Sequence, residues 1–245
     1  MKELLQLAWD ALLFRDEAYT QHVARADVLK RGLAVLVLVT LLGGVVSLLV
    51  DFVGDLRPVN AEAQIAEVEQ GIQEFFKAAG PYLDLPPKAQ RIIFSYIRPA
   101  MQMGLRIANL PTPLPQPLGR LSESLGAFLS LPFSRLAGWM GYGIWVLLVA
   151  KLLGGRATAG QMLGATALYA VPHVLDVLGV VPCLGGLLGL VATVWGIAIY
   201  VKALAVANDF TIGRAIAATV VPAVFFGALA LLGLVAILIP ALASQ

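Results

Sequence analysis

Charge, cysteine and histidine are all scarce in this chain, and each scarcity excludes something. Only 13% of its 245 residues are Asp, Glu, Lys or Arg, against about a quarter in an ordinary soluble domain. From residue 137 to the end the formal charges are Lys151, Arg156, Asp176, Lys202, Asp209 and Arg214 alone. The formal net charge is +2 and no basic block occurs, so the electrostatic footprint of a nucleic-acid binder is missing. The single cysteine, Cys183, excludes an intrachain disulfide and a cysteine-based metal cluster. The two histidines, His22 and His173, are too few for a histidine metal centre. No metal and no other cofactor is expected.

Catalytic patterns are missing as well. There is no GxSxG, HExxH or paired-carboxylate motif, and GGRATAG lacks the Lys-Ser/Thr continuation of a phosphate-binding loop. No catalytic residue is expected, and the chain reads as a non-enzyme. Residues 1–30 hold several acids and bases and no continuous apolar core, unlike a cleavable signal peptide. The apolar run that begins at Gly32 therefore reads as a retained anchor.

What is present is apolar length. Hydrophobic residues make up 59% of the chain, and the mean hydropathy is +0.85. A spanning helix needs about 20 mostly apolar residues. Runs of that kind fall at 32–50, 131–153, 160–181, 183–206 and 215–241. The predicted fold is all-α, a polytopic membrane helix bundle of about five spans with a helical extracytoplasmic loop region. It divides into a cytoplasmic amphipathic segment (1–31), a first transmembrane helix (32–50), an extracytoplasmic helical loop with a proline-rich tether (51–130) and a four-helix transmembrane region (131–245).

Basic residues in short loops give the orientation. Lys2, Arg15, Arg25, Lys30 and Arg31 precede the first span. Lys151 and Arg156 flank the second connection, and Lys202, Asp209 and Arg214 lie around the fourth. These charges belong on the cytoplasmic face, which puts the N-terminus inside and the C-terminus outside a cell (inner) membrane. In the long loop, Ile65, Val68, Ile72, Phe75 and Phe76 share one helical face, and 88–109 makes a second helical stretch bent at Pro99. Residues 110–119, LPTPLPQPLG, read as an extended tether. Residues 2–16 form an amphipathic pattern suited to an interfacial helix, with Trp9 at headgroup depth.

His173 and Asp176 are the candidate polar intramembrane pair. Three residues apart, they share a helix face, and an acid inside a span costs about 2.5–3.5 kcal/mol at mid-helix. Two readings stay open: a proton- or cation-handling pair opened by Pro172, or two groups that bond each other, or partners on neighbouring helices, near the outer interface. Arg135, near the outer end of its span, reads as a headgroup anchor. Gly160 with Gly164, and Gly185 with Gly189, have the small-xxx-small spacing of close helix packing.

The stretches VAKLLGGRATAGQMLGATALYAVPHVLDVLG and VATVWGIAIYVKALAVANDFTIGRAIAATVV together resemble the Yip family, the Ypt-interacting membrane proteins, in its prokaryotic form. The resemblance rests on Gly154 and Gly155 before Arg156, on Tyr169 to Pro172, on Trp195 and Tyr200 before Lys202, and on Gly213 and Ala215 around Arg214. It covers roughly residues 138–232. It implies five spans with a cytoplasmic N-terminus, no enzyme activity, and a part in membrane shaping or partner binding; eukaryotic members associate with Rab-type GTPases. This chain lacks their long polar N-terminal region and carries its large loop after the first span, so a Rab-like partner is not implied. The His173–Asp176 pair belongs to no motif of the family. The expected partners are the lipid bilayer, other membrane or peripheral proteins, or a second copy of the chain. The expected function is membrane organisation or partner scaffolding, with a small transporter or channel built on His173 and Asp176 as the alternative.

Overall fold

A computed structural model describes residues 2–55, 65–66, 68–74, 76–77, 87–108, 116–180 and 184–243. Among them the regular structure is entirely helical, as the apolar runs require. The elements are α1 (Lys2–Leu12), α2 (Asp16–Val23), α3 (Val28–Asp55), α4 (Pro87–Ala108), α5 (Gln116–Leu152), α6 (Ala159–Thr166), a 3₁₀ helix (Ala167–Val180), α7 (Leu184–Asn208) and α8 (Ile212–Ala243).

Four of these are long and apolar enough to cross a membrane: Val28–Val50, Leu121–Leu152, Gly185–Asn208 and Ile212–Gly233. At most 39% of any of these apolar windows is buried inside the protein. The remaining apolar surface is far too large for water and marks a multi-pass membrane bundle.

The expected span at 160–181 departs from an α-helix. It runs as α6 and then as 14 residues of 3₁₀ helix, a length seldom sustained. Pro172 has no N–H to return to the Leu168 carbonyl, and its ring would crowd that carbonyl in an α-turn. The two pieces together still rise about 40 Å at about 1.5 and 2.0 Å per residue, enough to cross. Thr158 starts α6 with a capping box: its hydroxyl accepts from Gln161 N at 3.2 Å, and Gln161 Oε1 accepts from Thr158 N at 2.9 Å.

Three helices stop in the same way. At the end of α5, Gly155 N donates to Ala150 O at 2.8 Å across Gly154, whose φ is +88°. At α7, Phe210 N reaches Ala205 O at 2.9 Å across Asp209 at φ +56°. At α1, Arg15 N reaches Asp10 O at 3.0 Å across Phe14 at φ +54°. These are Schellman ends, one of them built on Phe14, a residue type that tolerates the left-handed region poorly, and one on Asp209, which tolerates it better.

The bundle residues form one compact unit (Met1–Phe52 with Glu123–Val235) and the long loop most of another (Val53–Ser122 with Ala236–Gln245). The core of the first is centred on Leu36, Met162, Leu168, Ile199 and Leu204, all fully buried. Its tightest crossing is α3 on α6, where Gly164 meets the backbone of Val28 and Leu29 and Gly32 meets that of Gly164. In the second unit the described residues between 65 and 77 are helical and pair with α4 as an antiparallel hairpin. Arg98 grips Glu69 at 2.6 and 2.8 Å, and Phe76 meets Phe94 edge-on at 6.2 Å. Ile65 is buried, whereas Val68 is exposed; Phe75 lies outside the described residues. The helix runs on through Pro99. Of the expected tether, residues 116–119 belong to α5, with Pro117 in the first turn where its missing N–H costs nothing; residues 110–115 lie outside the described residues.

Candidate functional site

The acid of the third span sits in a cluster of three. In the 3₁₀ helix residues three apart eclipse one another, which stacks His173 directly below Asp176. His173 Nδ1 donates to Asp176 Oδ2 at 3.1 Å, and Arg135 of α5 reaches the same oxygen at 3.3 Å. The Arg135 and Asp176 side chains are 41% and 32% exposed. Arg135, read from the sequence as a headgroup anchor, also carries the counter-charge for Asp176 from the facing helix. The cluster borders a cavity of about 100 Å³ whose other walls include Thr40, Gly43 and Gly44 of α3. That is well below the few hundred Å³ of an organic-ligand pocket.

A larger and mostly apolar cavity of about 410 Å³ opens on the other side of His173, between α5, the 3₁₀ helix, α7 and α8. Trp139, Tyr142, Tyr169 and Tyr200 line it. Tyr142 donates to the Thr219 carbonyl, and Trp139 Nε1 to Thr166 Oγ1 at 3.4 Å. Tyr169 and His173 line both cavities, with their rings edge-to-face at 6.0 Å.

The second polar region was not visible in the sequence. The amphipathic N-terminus does not lie free at an interface. Helices α1 and α2 form a hairpin docked on α6, the 3₁₀ helix and α7, with Leu7, Ala11 and Tyr19 buried against Val35, Leu168, Val171 and Ile199. Tyr19 closes the hairpin by donating to Ala11 O at 2.8 Å. Trp195 Nε1 donates to Leu12 O at 3.1 Å, Phe14 stacks on the Trp195 ring, and Lys202 pairs with Asp16. Trp195 stands thirteen residues before Asn208, about 20 Å along the helix at about 1.5 Å per residue. The hairpin turn thus reaches well up the bundle from the end that carries the basic loops.

His22 fastens α2. It is 2% exposed, and its Nε2 donates to the Gly164 carbonyl at 3.1 Å, 142 residues away. Its Nδ1 has no hydrogen-bond partner among the described residues. Burial, together with Arg31 and Arg25 nearby, holds the imidazole pKa below its usual 6.5, against the opposing pull of the Gly164 carbonyl and Asp27. The sign follows: the unfolded chain takes up a proton near pH 6.5 while the folded chain resists. Stability from this group is complete above pH 6.5 and is lost as pH falls below it. We expect the melting temperature of the detergent-solubilised protein to drop between pH 7 and pH 5. In His22→Gln, whose amide replaces the donor without titrating, that drop should shrink; an equal drop in both would remove His22 as the cause.

The remaining residues singled out from the sequence fall as follows. Lys151, Arg156, Asp209 and Arg214 are exposed at one end of the bundle. Lys151 bonds Gly155 O at 3.2 Å, and Lys202 holds Asp16. Asn208, 1% exposed, ties that end together by accepting from Ala157 N at 3.3 Å and donating to Leu204 O at 3.1 Å. Of the glycines, Gly164 makes the expected close approach. Among the described residues, an added methyl at Gly160 or Gly189 would meet nothing within 4 Å, so none of them packs closely there. No family model matches this chain, and neither does any curated protein or solved structure.

Proposed function

We propose that this is a non-enzymatic multi-pass membrane protein of the Yip type that organises the bilayer around it, N-terminus in the cytoplasm and C-terminus outside. One observation carries the reading: the two-faced α1–α2 hairpin. Its inner face is buried on the bundle, while Leu5, Trp9, Leu13 and Phe14 stay exposed on a unit whose turn sits beside Trp195. A hairpin with an exposed apolar stripe on α1, held against the bundle, adds volume to a single leaflet, as interfacial amphipathic helices do. The basic residues at the same end favour the cytoplasmic leaflet.

The test is reconstitution at rising protein-to-lipid ratio with vesicle diameter read by electron cryomicroscopy. The wild-type chain should give smaller or tubulated vesicles. The Leu5→Gln, Trp9→Gln, Leu13→Gln triple variant should leave vesicles at the size of protein-free controls. Equal diameters for two folded proteins would sink the proposal.

A second reading, proton or cation handling, is favoured by the cavity beside Asp176. It ranks lower because the Arg135 guanidinium already occupies the carboxylate that a cation would need. Ion-coupled flux in liposomes that Asp176→Asn abolishes would reverse the ranking.

A further inference from the structure

A cavity of about 330 Å³ opens between α1, α2 and the start of α3. Its polar walls are Glu3, Gln6, Asp10, Gln21, His22, Arg25 and Arg31. Acids and bases are equal in number, so the cavity offers no net attraction to a simple anion. It offers both signs side by side. Arg31 Nη1 pairs with Glu3 at 2.9 Å, which keeps that carboxyl below the usual range and ionised. Two buried atoms in this wall have no hydrogen-bond partner among the described residues: Arg31 Nε, a donor, and His22 Nδ1. Because His22 Nε2 is spent on the Gly164 carbonyl, Nδ1 is an acceptor. Buried polar atoms of this kind are seldom left unmatched in folded proteins. Both atoms are closed off from the open space, so a ligand there meets the outer parts of the lining instead: it must bring an oxygen to the guanidinium groups and an N–H to the carboxylates of Glu3 and Asp10.

Position narrows the choice. Arg31 immediately precedes the apolar run that starts at Gly32, so the cavity lies on α3 where charge gives way to hydrocarbon, the level of bilayer phosphates. We propose that this cavity binds the phosphoethanolamine headgroup of an aminophospholipid, with the phosphate on Arg31 and Arg25 and the ammonium on Glu3 and Asp10, joining the pairs that Arg25 makes with Asp27 at 2.9 Å and Asp10 with Arg15 at 2.7 Å. Choline headgroups carry the same charges but no N–H, and so fail the acceptor side. The inference does not depend on the leaflet-wedge reading and survives its failure.

The test is native mass spectrometry of the full-length protein in mixed micelles holding phosphatidylethanolamine, phosphatidylcholine and phosphatidylglycerol of identical chains in equal amounts. Ethanolamine lipid should be retained about tenfold over choline lipid, a discrimination that one charge-assisted hydrogen bond supplies. The preference should fall to near unity in the charge-balanced double variant Glu3→Gln, Arg31→Gln. Because Glu3 and Arg31 also hold the hairpin, Gln21→Leu is the companion variant. It sits on the exposed rim and should weaken retention with an unchanged melting temperature. Equal retention of ethanolamine and choline lipids, or preference for the glycerol lipid, overturns the proposal. So does soluble phosphoethanolamine that binds as tightly as the lipid, which would make the ligand a free phosphate compound instead.

Discussion

Gly164→Leu is expected to abolish the folded bundle. A Cβ at this position falls 2.6 Å from the Val28 carbonyl carbon and oxygen and 2.7 Å from Leu29 N, all backbone atoms with no rotamer to change. Overpacking absorbed by side chains costs about 1–3 kcal/mol. Here the two helices must separate, and the Gly164 carbonyl that anchors His22 moves with them. A loss of at least about 3 kcal/mol is expected, enough to remove most of the stability of an ordinary domain. The measurement is monodispersity in size-exclusion chromatography and the melting temperature in detergent. Gly160→Leu, four residues earlier on the same helix and facing open space, is the control and should fold normally. If Gly164→Leu melted like that control, the α3–α6 crossing would not be the tight contact described above.

Breaking the charge pair should come next in size. Arg135→Leu leaves Asp176 with His173 alone inside a span, and Asp176→Asn strands the guanidinium. Either charge left uncompensated costs less than the mid-membrane figure of about 2.5–3.5 kcal/mol, because the pair is part-exposed near the outer end of its spans. The double variant Arg135→Leu, Asp176→Asn removes both charges and should recover to within about 1 kcal/mol of wild type, as other buried ion pairs replaced as a unit do. A double-mutant cycle on unfolding in mixed micelles measures the coupling. Strictly additive losses would show that the 3.3 Å contact carries no energy.

The bundle was legible in the sequence because membrane spans announce themselves by length and composition, and the helical signals at 2–16, 65–77 and 88–109 were readable by period. What escaped was decided by partners far away in the chain. Arg135 looked like a headgroup anchor because its span end was visible while the acid 41 residues on was not known to face it. Gly160 and Gly164 have identical local signatures, yet only the second lies where α3 crosses. The N-terminal helix showed its periodicity, but Leu5, Leu7, Trp9, Ala11 and Leu13 are all apolar, and no pattern tells which of them faces protein. His22 sits in a short charged stretch whose burial depends on a carbonyl 142 residues away. A faint signal existed: Ala18, Tyr19, His22 and Val23 fall on one helical face. Pro172 was noticed in the third span, but its effect spread over 14 residues of changed helix instead of one local opening.

That altered helix makes the third span long for its residue count. Rewound as α-helix, the same 14 residues would shorten by about 7 Å, since each rises about 1.5 Å instead of 2.0 Å. Its far end would also swivel, as each residue advances about 100° rather than 120° around the axis. His173 and Asp176, now in register, would fall about 60° out of line, and Arg135 would lose its hold on one or the other. The neighbouring spans are α-helices with reach fixed by residue count, whereas this one stands at full stretch. Pro172 bars that rewinding at its own turn, so the reach of this span and the alignment of these two side chains are set together.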